Sequence, residues 1–123
     1  MRRRLLLLGS LLAASAVSSW AAENVPALVQ QLAGGSDEAR LKLIEVGLPA
    51  APALVQLMGA QPGRPAAEAE RTIGWIVDRA AERPDTRAKA EWMLLNLLID
   101  PRQPAPVRHM AAGLLAMSGS GAS

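Results

Sequence analysis

The sequence predicts an all-α domain, and three observations lead to that prediction. Half of the 123 residues are hydrophobic, yet the chain contains no Phe and no Tyr. Its apolar side chains are mainly Leu and Ala, which favour helices, whereas strand-rich domains depend on β-branched and aromatic residues. Apolar residues also recur at spacings of three and four, as on one face of a helix. Finally, Pro-Ala-Leu-Val-Gln occurs twice, at 26–30 and 52–56, and each copy is expected to open a helix.

Residues 1–21 have the pattern of a secretory signal peptide. A basic start, Met-Arg-Arg-Arg, precedes the apolar run Leu5–Val17, and Ser19 and Ala21 are small residues of the kind a signal peptidase accepts. We expect cleavage after Ala21 or Ala22 and export to the periplasm or the medium, and the arginines suit either the general or the twin-arginine route. The apolar run is too short for a hydrocarbon core of about 30 Å. No stable membrane insertion is therefore expected after cleavage.

Charge and cysteine content exclude several classes of function. The chain has 13 basic and 11 acidic side chains, and loss of Arg2, Arg3 and Arg4 with the signal leaves 10 against 11. No clustered basic face of the kind that nucleic acids require remains. Because the chain has no Cys, thiol catalysis and thiolate metal sites are excluded, and an exported domain would be held together by its core alone.

The first two helices are predicted from their ends. Val25–Ala33 carries one apolar stripe and stops at Gly34-Gly35, since glycine commonly ends helices. Ser36 is a good N-cap for a second helix, and acidic residues in its first turn favour the positive end of the helix dipole. That helix is expected to run through residue 46 and to end at Gly47.

The middle of the chain predicts two more helices separated by a Pro/Gly-rich break. The third covers Ala50–Met58 and is entered through prolines, which suit a first turn. Residues 59–65 form the break, and the fourth helix is expected over Ala66–Glu82. The fourth helix has a narrow apolar stripe, consisting of Ala69, Ile73, Ile76, Val77 and Ala80.

The last two helices are predicted around a break at Asp100-Pro101. The fifth is expected to be capped by Asp85 and to reach Ile99, and its apolar residues surround most of it. A helix that is apolar nearly all round is usually buried on several sides, so Trp92 is predicted to lie in the core. The sixth helix begins near Pro106, with Val107, Met110, Ala111, Leu114 and Leu115 facing inward. The folded domain is expected over 22–117, with a disordered Ser/Gly tail at 118–123.

Short connections predict antiparallel helical hairpins, and these resemble HEAT-type repeats. Pro-Ala-Leu-Val-Gln-Gln-Leu at 26–32 resembles the first helix of such a unit. The stretch 97–117 is more similar, with Asp100-Pro101 at the turn and Val107-Arg108 at the next helix start. The resemblance implies a short right-handed α-solenoid of about three hairpins, each burying its apolar face against the next. The alternative is an irregular bundle of the same six helices.

The same resemblance implies a structural ladder between turn aspartates and helix-start arginines. In this chain Asp100 and Arg108 would form one rung. Arg40 occupies the matching arginine position in the first unit, but Gly34 stands where an aspartate would be expected.

The pattern of reactive residues indicates neither an enzyme nor a cofactor or metal site. The single histidine, His109, lies off the apolar stripe of its helix and is predicted to be a solvated surface residue. Zinc sites normally take three or four His, Cys or carboxylate ligands, and none cluster in this sequence. Five of the eleven carboxylates alternate with arginines along the fourth helix and its flanks, which indicates solvated ion pairs; they are Glu68, Glu70, Asp78, Glu82 and Asp85.

Trp75 is the candidate binding residue. On a helical wheel it lies far from the apolar stripe, and Arg71 and Arg79 lie beside it. Because Trp and Arg are enriched at interface hot spots, these residues could contact a partner protein. Alternatively, Trp75 packs on the next hairpin.

The sequence therefore predicts a non-catalytic protein-binding module, an adaptor or assembly helper of the cell envelope, that binds another protein through a helical face. A second copy of the chain is an alternative partner. One rival is a carrier of a small apolar ligand in a pocket lined by Met58, Met93 and Leu97. Another is an enzyme or its accessory domain, with a buried carboxylate near Asp78 or Glu91.

Overall fold

The computed structural model describes residues 24–122, and in this range the chain is all-α, as the sequence predicts. The predicted signal peptide, residues 1–21, lies outside the described residues. The helices are α1 (Val25–Ala33), α2 (Asp37–Val46), α3 (Ala51–Ala60), α4 (Arg64–Ala80), α5 (Pro84–Ile99) and α6 (Ala105–Ala122), with a 3₁₀ turn, Leu48–Ala50, before α3. Since α6 extends through Ala122, its span continues past residue 117, and the disorder of 118–123 stays a prediction.

Proline and polar caps set the helix boundaries. Each of α1, α3, α4, α5 and α6 has a proline in its first turn, where its missing N–H would have no helical partner anyway. The N-cap predicted at Ser36 is confirmed, because its hydroxyl accepts a 3.1 Å hydrogen bond from the backbone N–H of Ala39. Gly47 ends α2 with a φ of +80°, a conformation that favours glycine.

The predicted cap of α5 at Asp85 is wrong. The first helical residue is Pro84, two residues earlier than a cap at Asp85 would give, and the N-cap position is occupied by Arg83 in an extended conformation with no side-chain cap. Asp85 lies inside the first turn and its carboxylate lies 3.6 Å from the guanidinium of Arg83. The fixed φ of Pro84 suits the first turn of a helix, so this helix starts without the carboxylate cap that we expected from Asp85.

Helix α4 is the centre of the arrangement. It contacts each of the other five helices that the structure describes within residues 24–122. Consecutive helices pair as α1–α2, α3–α4 and α5–α6, and the α3–α4 pair makes substantial contacts with both of the others. The α3–α4 pair therefore lies between the other two pairs.

The predicted apolar stripes of α1 and α4 lie in the core, while the prediction for Trp92 is wrong. All predicted stripe residues of α4 are buried, and so are those of α1, which are Val25, Leu28, Val29 and Leu32. In α5 only Ala90 and Leu94 are buried, and Trp92 is 68% exposed. Trp92 lies on the opposite side of α5 from Leu94, because two residues of separation correspond to about 200° of rotation. Helix α5 is therefore buried on one side and not on several.

The two copies of Pro-Ala-Leu-Val-Gln occupy similar environments. They lie on α1 and α3, which contact each other. Leu28 and Leu54 are buried at equivalent positions, with 3% and 0% exposure, while Gln30 and Gln56 are both exposed. The repeated sequence thus corresponds to a repeated pattern of burial.

Within residues 24–122 no single helix combines the length and apolar composition of a membrane span. Only Asp37–Val46 and Leu48–Ala60 meet both criteria when taken together, and this pair is bent by 116°.

Candidate functional site

The solvent side of α4 presents Trp75 between two arginines. Trp75 is 56% exposed, and Arg71 and Arg79, one turn before and one turn after it, are exposed too. The buried residues Ile73 and Val77 lie on the other side of the helix and anchor it in the core. The structure therefore brings the three predicted binding residues onto one exposed face. We call Arg71, Trp75 and Arg79 the α4 face.

Arg40 joins neighbouring hairpins, with partners that the sequence did not indicate. Its guanidinium bonds Glu68 on α4 and also bonds Asp37 of its own helix at 3.0 Å. The Arg40 and Glu68 side chains are only 18% and 13% exposed. The predicted solvation of Glu68 is therefore wrong, since α2 covers it. Arg40 therefore links α2 to α4, and its partner lies on a later helix and not in a preceding turn.

The predicted rung between Asp100 and Arg108 is not observed among the described residues. Instead, the Asp100 carboxylate accepts bonds from the Arg102 backbone N–H at 3.0 Å and from the Arg102 guanidinium at 3.1 Å. These bonds close the turn between α5 and α6 locally. The guanidinium of Arg102, followed by its backbone N–H, holds the pKa of Asp100 below its ordinary value of 3.8. A partner two residues away needs less ordering than one on the next helix, which explains why Arg102 replaces Arg108.

The pocket expected for an apolar ligand does not assemble as predicted. Met93 lines an open cleft of about 790 Å³ between the C-terminal end of α2, α4 and α5, but neither Met58 nor Leu97 lines it. Met58 is instead packed in the core. Charged side chains border this cleft, namely Glu45, Arg79, Glu82, Arg83 and Lys89. Such a border does not favour an apolar ligand.

The carboxylates considered for catalysis line a small cavity. Asp78 and Glu91 border about 280 Å³ of space between α4, α5 and α6. Asp78 is exposed and Glu91 is half-buried, so neither is the buried carboxylate that an acid–base role predicted. His109 is exposed, as predicted. The described residues contain no group of three or more His, Cys, Asp or Glu residues that could hold a metal ion.

Sequence reasoning missed a second exposed apolar surface, on α5. Trp92, Leu95 and Ile99 are exposed there by 68%, 42% and 66%. Their spacing of three and four was visible in the sequence, but the buried face of the same helix has a similar spacing. Periodicity alone could not tell which of the two faces meets the core.

The chain matches no protein-family model, no curated protein and no solved structure.

Proposed function

We propose that this chain is an exported, non-catalytic protein-binding module of the cell envelope that docks a partner protein on the α4 face. The observation that carries the proposal is the exposure of Trp75, at 56%, between two exposed arginines on a helix anchored in the core. When a partner covers an exposed indole, the free energy of binding becomes more favourable by about 25 cal/mol per Å² of apolar surface buried.

The chemistry of the face defines the partner surface that it fits. The indole suits an apolar pocket, while Arg71 and Arg79 can donate hydrogen bonds to carboxylates or carbonyls at its edge. Because α4 is packed against all the other helices, this surface is pre-formed. Binding then loses little conformational freedom, which favours affinity.

We further infer that the three hairpins stack as a short right-handed HEAT-like solenoid. The middle position of α3–α4, the Arg40–Glu68 link between hairpins and the matched burial of Leu28 and Leu54 support this inference. A crystal structure would test it directly. A constant right-handed rotation from one hairpin to the next supports a solenoid, and unrelated crossing angles support an irregular bundle.

The binding proposal is tested by crosslinking in the native host. The full chain is expressed with a C-terminal affinity tag, as the natural sequence, as Trp75→Ala and as Trp92→Ala. The envelope fraction is crosslinked and the captured proteins are quantified. We expect one stoichiometric partner that Trp75→Ala loses by at least about tenfold, the loss typical of a hot-spot residue, and that Trp92→Ala retains.

Trp92→Ala is the matched control, because it removes an exposed tryptophan from a different helix. Equal capture of the partner by all three chains would refute the proposal that the α4 face binds it. Mass measurement of the purified chain tests export separately, since cleavage after Ala21 or Ala22 gives a defined N-terminus. An intact N-terminus found only in the cytosol would contradict the proposed location.

A further inference from the structure

Helix α5 has two apolar faces and only one of them is covered. Ala90 and Leu94 face the core. On the opposite side, Trp92, Leu95 and Ile99 are exposed by 68%, 42% and 66%. Ala88 extends the same stripe by one turn and is exposed as well. We call Ala88, Trp92, Leu95 and Ile99 the α5 stripe.

The spacing of the α5 stripe is that of a coiled-coil seam. Successive members are separated by four, three and four positions, which is the alternation of the a and d positions of a heptad. The order four, three, four also reads the same in both directions. Two identical stripes therefore match each other when one helix is reversed.

We propose that two copies of this chain associate through the α5 stripe, with the two α5 helices antiparallel about a two-fold axis between Trp92 and Leu95. This pairing places Ala88 opposite Ile99 of the second copy and Trp92 opposite Leu95. Small side chains then face large ones at the ends of the seam, as close packing requires. A two-fold interface buries the same patch on both copies, so one self-matching stripe is sufficient.

The charges beside the stripe favour the antiparallel arrangement. All the charged side chains of α5 lie in its N-terminal half, at Asp85, Arg87, Lys89 and Glu91, while residues 92–99 carry none. In a parallel pair each charged residue of one helix would lie beside the same residue of the second copy, and like charges in contact are destabilising. In the antiparallel pair the charged half of each helix meets the uncharged half of the other. The dipoles of the two antiparallel α5 helices also point in opposite directions.

The size of the stripe predicts a weak dimer. Its three large side chains expose on the order of 400 Å² of apolar surface in each copy. Two copies would then bury less than the roughly 1,200 Å² of a standard stable interface. We therefore expect dissociation constants of roughly micromolar order or weaker. The α4 face takes no part in this contact, so the dimer does not depend on the proposed function.

Analytical ultracentrifugation of the chain, purified in the form that its host makes, tests the association. The natural sequence should move from monomer to dimer between about 1 and 500 µM, the range that spans such a constant. Ile99→Glu and Trp92→Ala should weaken the dimer by at least tenfold while the helical circular dichroism is unchanged. Leu41→Glu is the matched control, because Leu41 is an exposed apolar residue of α2, at 64%, outside the stripe.

Cysteine crosslinking tests the register, because the natural chain contains no Cys. A mixture of Ala88→Cys and Ile99→Cys chains should form a disulfide between the two variants. Ala88→Cys alone should not, since the two copies of residue 88 would lie about 16 Å apart along the seam. A monomer at every concentration, a dimer weakened only by Leu41→Glu, or efficient self-crosslinking of Ala88→Cys would each overturn the proposal.

Discussion

The guanidinium of Arg40 bonds the carboxylate of Glu68, 28 residues further along the chain. This pair joins α2 to α4 at a place where both side chains are mostly covered, with 18% and 13% exposure. Removal of one partner would leave the other charge largely desolvated and unpaired. The cost of such a charge exceeds the free energy that the intact pair contributes.

Arg40→Met is therefore expected to lower the free energy of unfolding by about 1–3 kcal/mol, the range for leaving a buried polar group without its partner. Urea denaturation measures the change. The control is Lys42→Ala, which breaks the more exposed pair of Lys42 with Glu38 and should cost at most about 1 kcal/mol. In a double-mutant cycle with Glu68→Gln, a coupling energy near zero would show that the Arg40–Glu68 pair does not stabilise the fold.

The repeated pentapeptide predicts matched losses of stability. Leu28→Ala and Leu54→Ala remove buried side chains at equivalent positions, so each should cost about 2–5 kcal/mol. Gln30→Ala and Gln56→Ala alter exposed residues of the same two helices and should stay within about 0.5 kcal/mol. Thermal unfolding of the four variants provides the comparison. If Leu54→Ala lowers the stability and Leu28→Ala leaves it unchanged, α1 is not part of the core.

The cap at Ser36 provides a test of local structure. Ser36→Ala removes the acceptor for the Ala39 N–H and should cost about 1 kcal/mol, whereas Ser36→Gly should cost only a few tenths. Hydrogen exchange of the amides in the first turn of α2 should quicken in the alanine variant. Unchanged exchange at Ala39 would show that the hydroxyl does not cap the helix.

The pKa of Asp100 discriminates between its two candidate partners. Its value is lowered chiefly by the Arg102 guanidinium, so Arg102→Ala should raise it toward 3.8. Arg108→Ala should leave it unchanged. Carbon-detected NMR titration of the Asp100 carboxyl measures both. If the pKa of Asp100 shifts more in Arg108→Ala than in Arg102→Ala, Arg108 is the main partner of Asp100, as the resemblance implied.

The sign of the linked effect on stability follows from the direction of that shift. Because the folded pKa of Asp100 lies below the unfolded value, its contribution is present above pH 3.8 and is lost as the pH falls through the folded pKa. Arg102→Ala should therefore lower the free energy of unfolding at neutral pH, reduce its slope against pH below 3.8, and leave the stability below the folded pKa nearly unaltered. Since Arg102 is 89% exposed, we expect the change to be small. A steeper acid loss in the variant would contradict this assignment.

Replacing either Trp75 or Trp92 by alanine should have only a small effect on the free energy of unfolding. Trp75→Ala and Trp92→Ala remove mainly solvent-facing surface, so each should change the free energy of unfolding by no more than about 1 kcal/mol at concentrations where the chain is monomeric. Leu94→Ala, on the covered side of α5, should cost about 2–5 kcal/mol. A large loss for Trp75→Ala would make that residue a packing residue and would remove the basis of the binding proposal.

The local features of this fold were determined by the sequence. Prolines in first turns, the Ser36 cap and Gly47 fixed where helices begin and end, because these residues act on the backbone within one turn. The apolar stripes of α1 and α4 were equally predictable, since each of these helices has a single apolar face to bury. The sequence also placed Trp75 off the α4 stripe, but it left open whether Trp75 is exposed or packs on the next hairpin.

Only the tertiary structure decided which face of α5 is covered and which partners the charged residues take. Periodicity marks both the Leu94 side and the Trp92 side of α5 as apolar, and only the packing of α4 and α6 covers one of them. Arg40 meets Glu68 because α2 lies against α4, and no local rule connects residues 28 positions apart. Helix ends are short-range properties of the backbone, whereas burial and ion pairing depend on which surfaces the folded chain brings together.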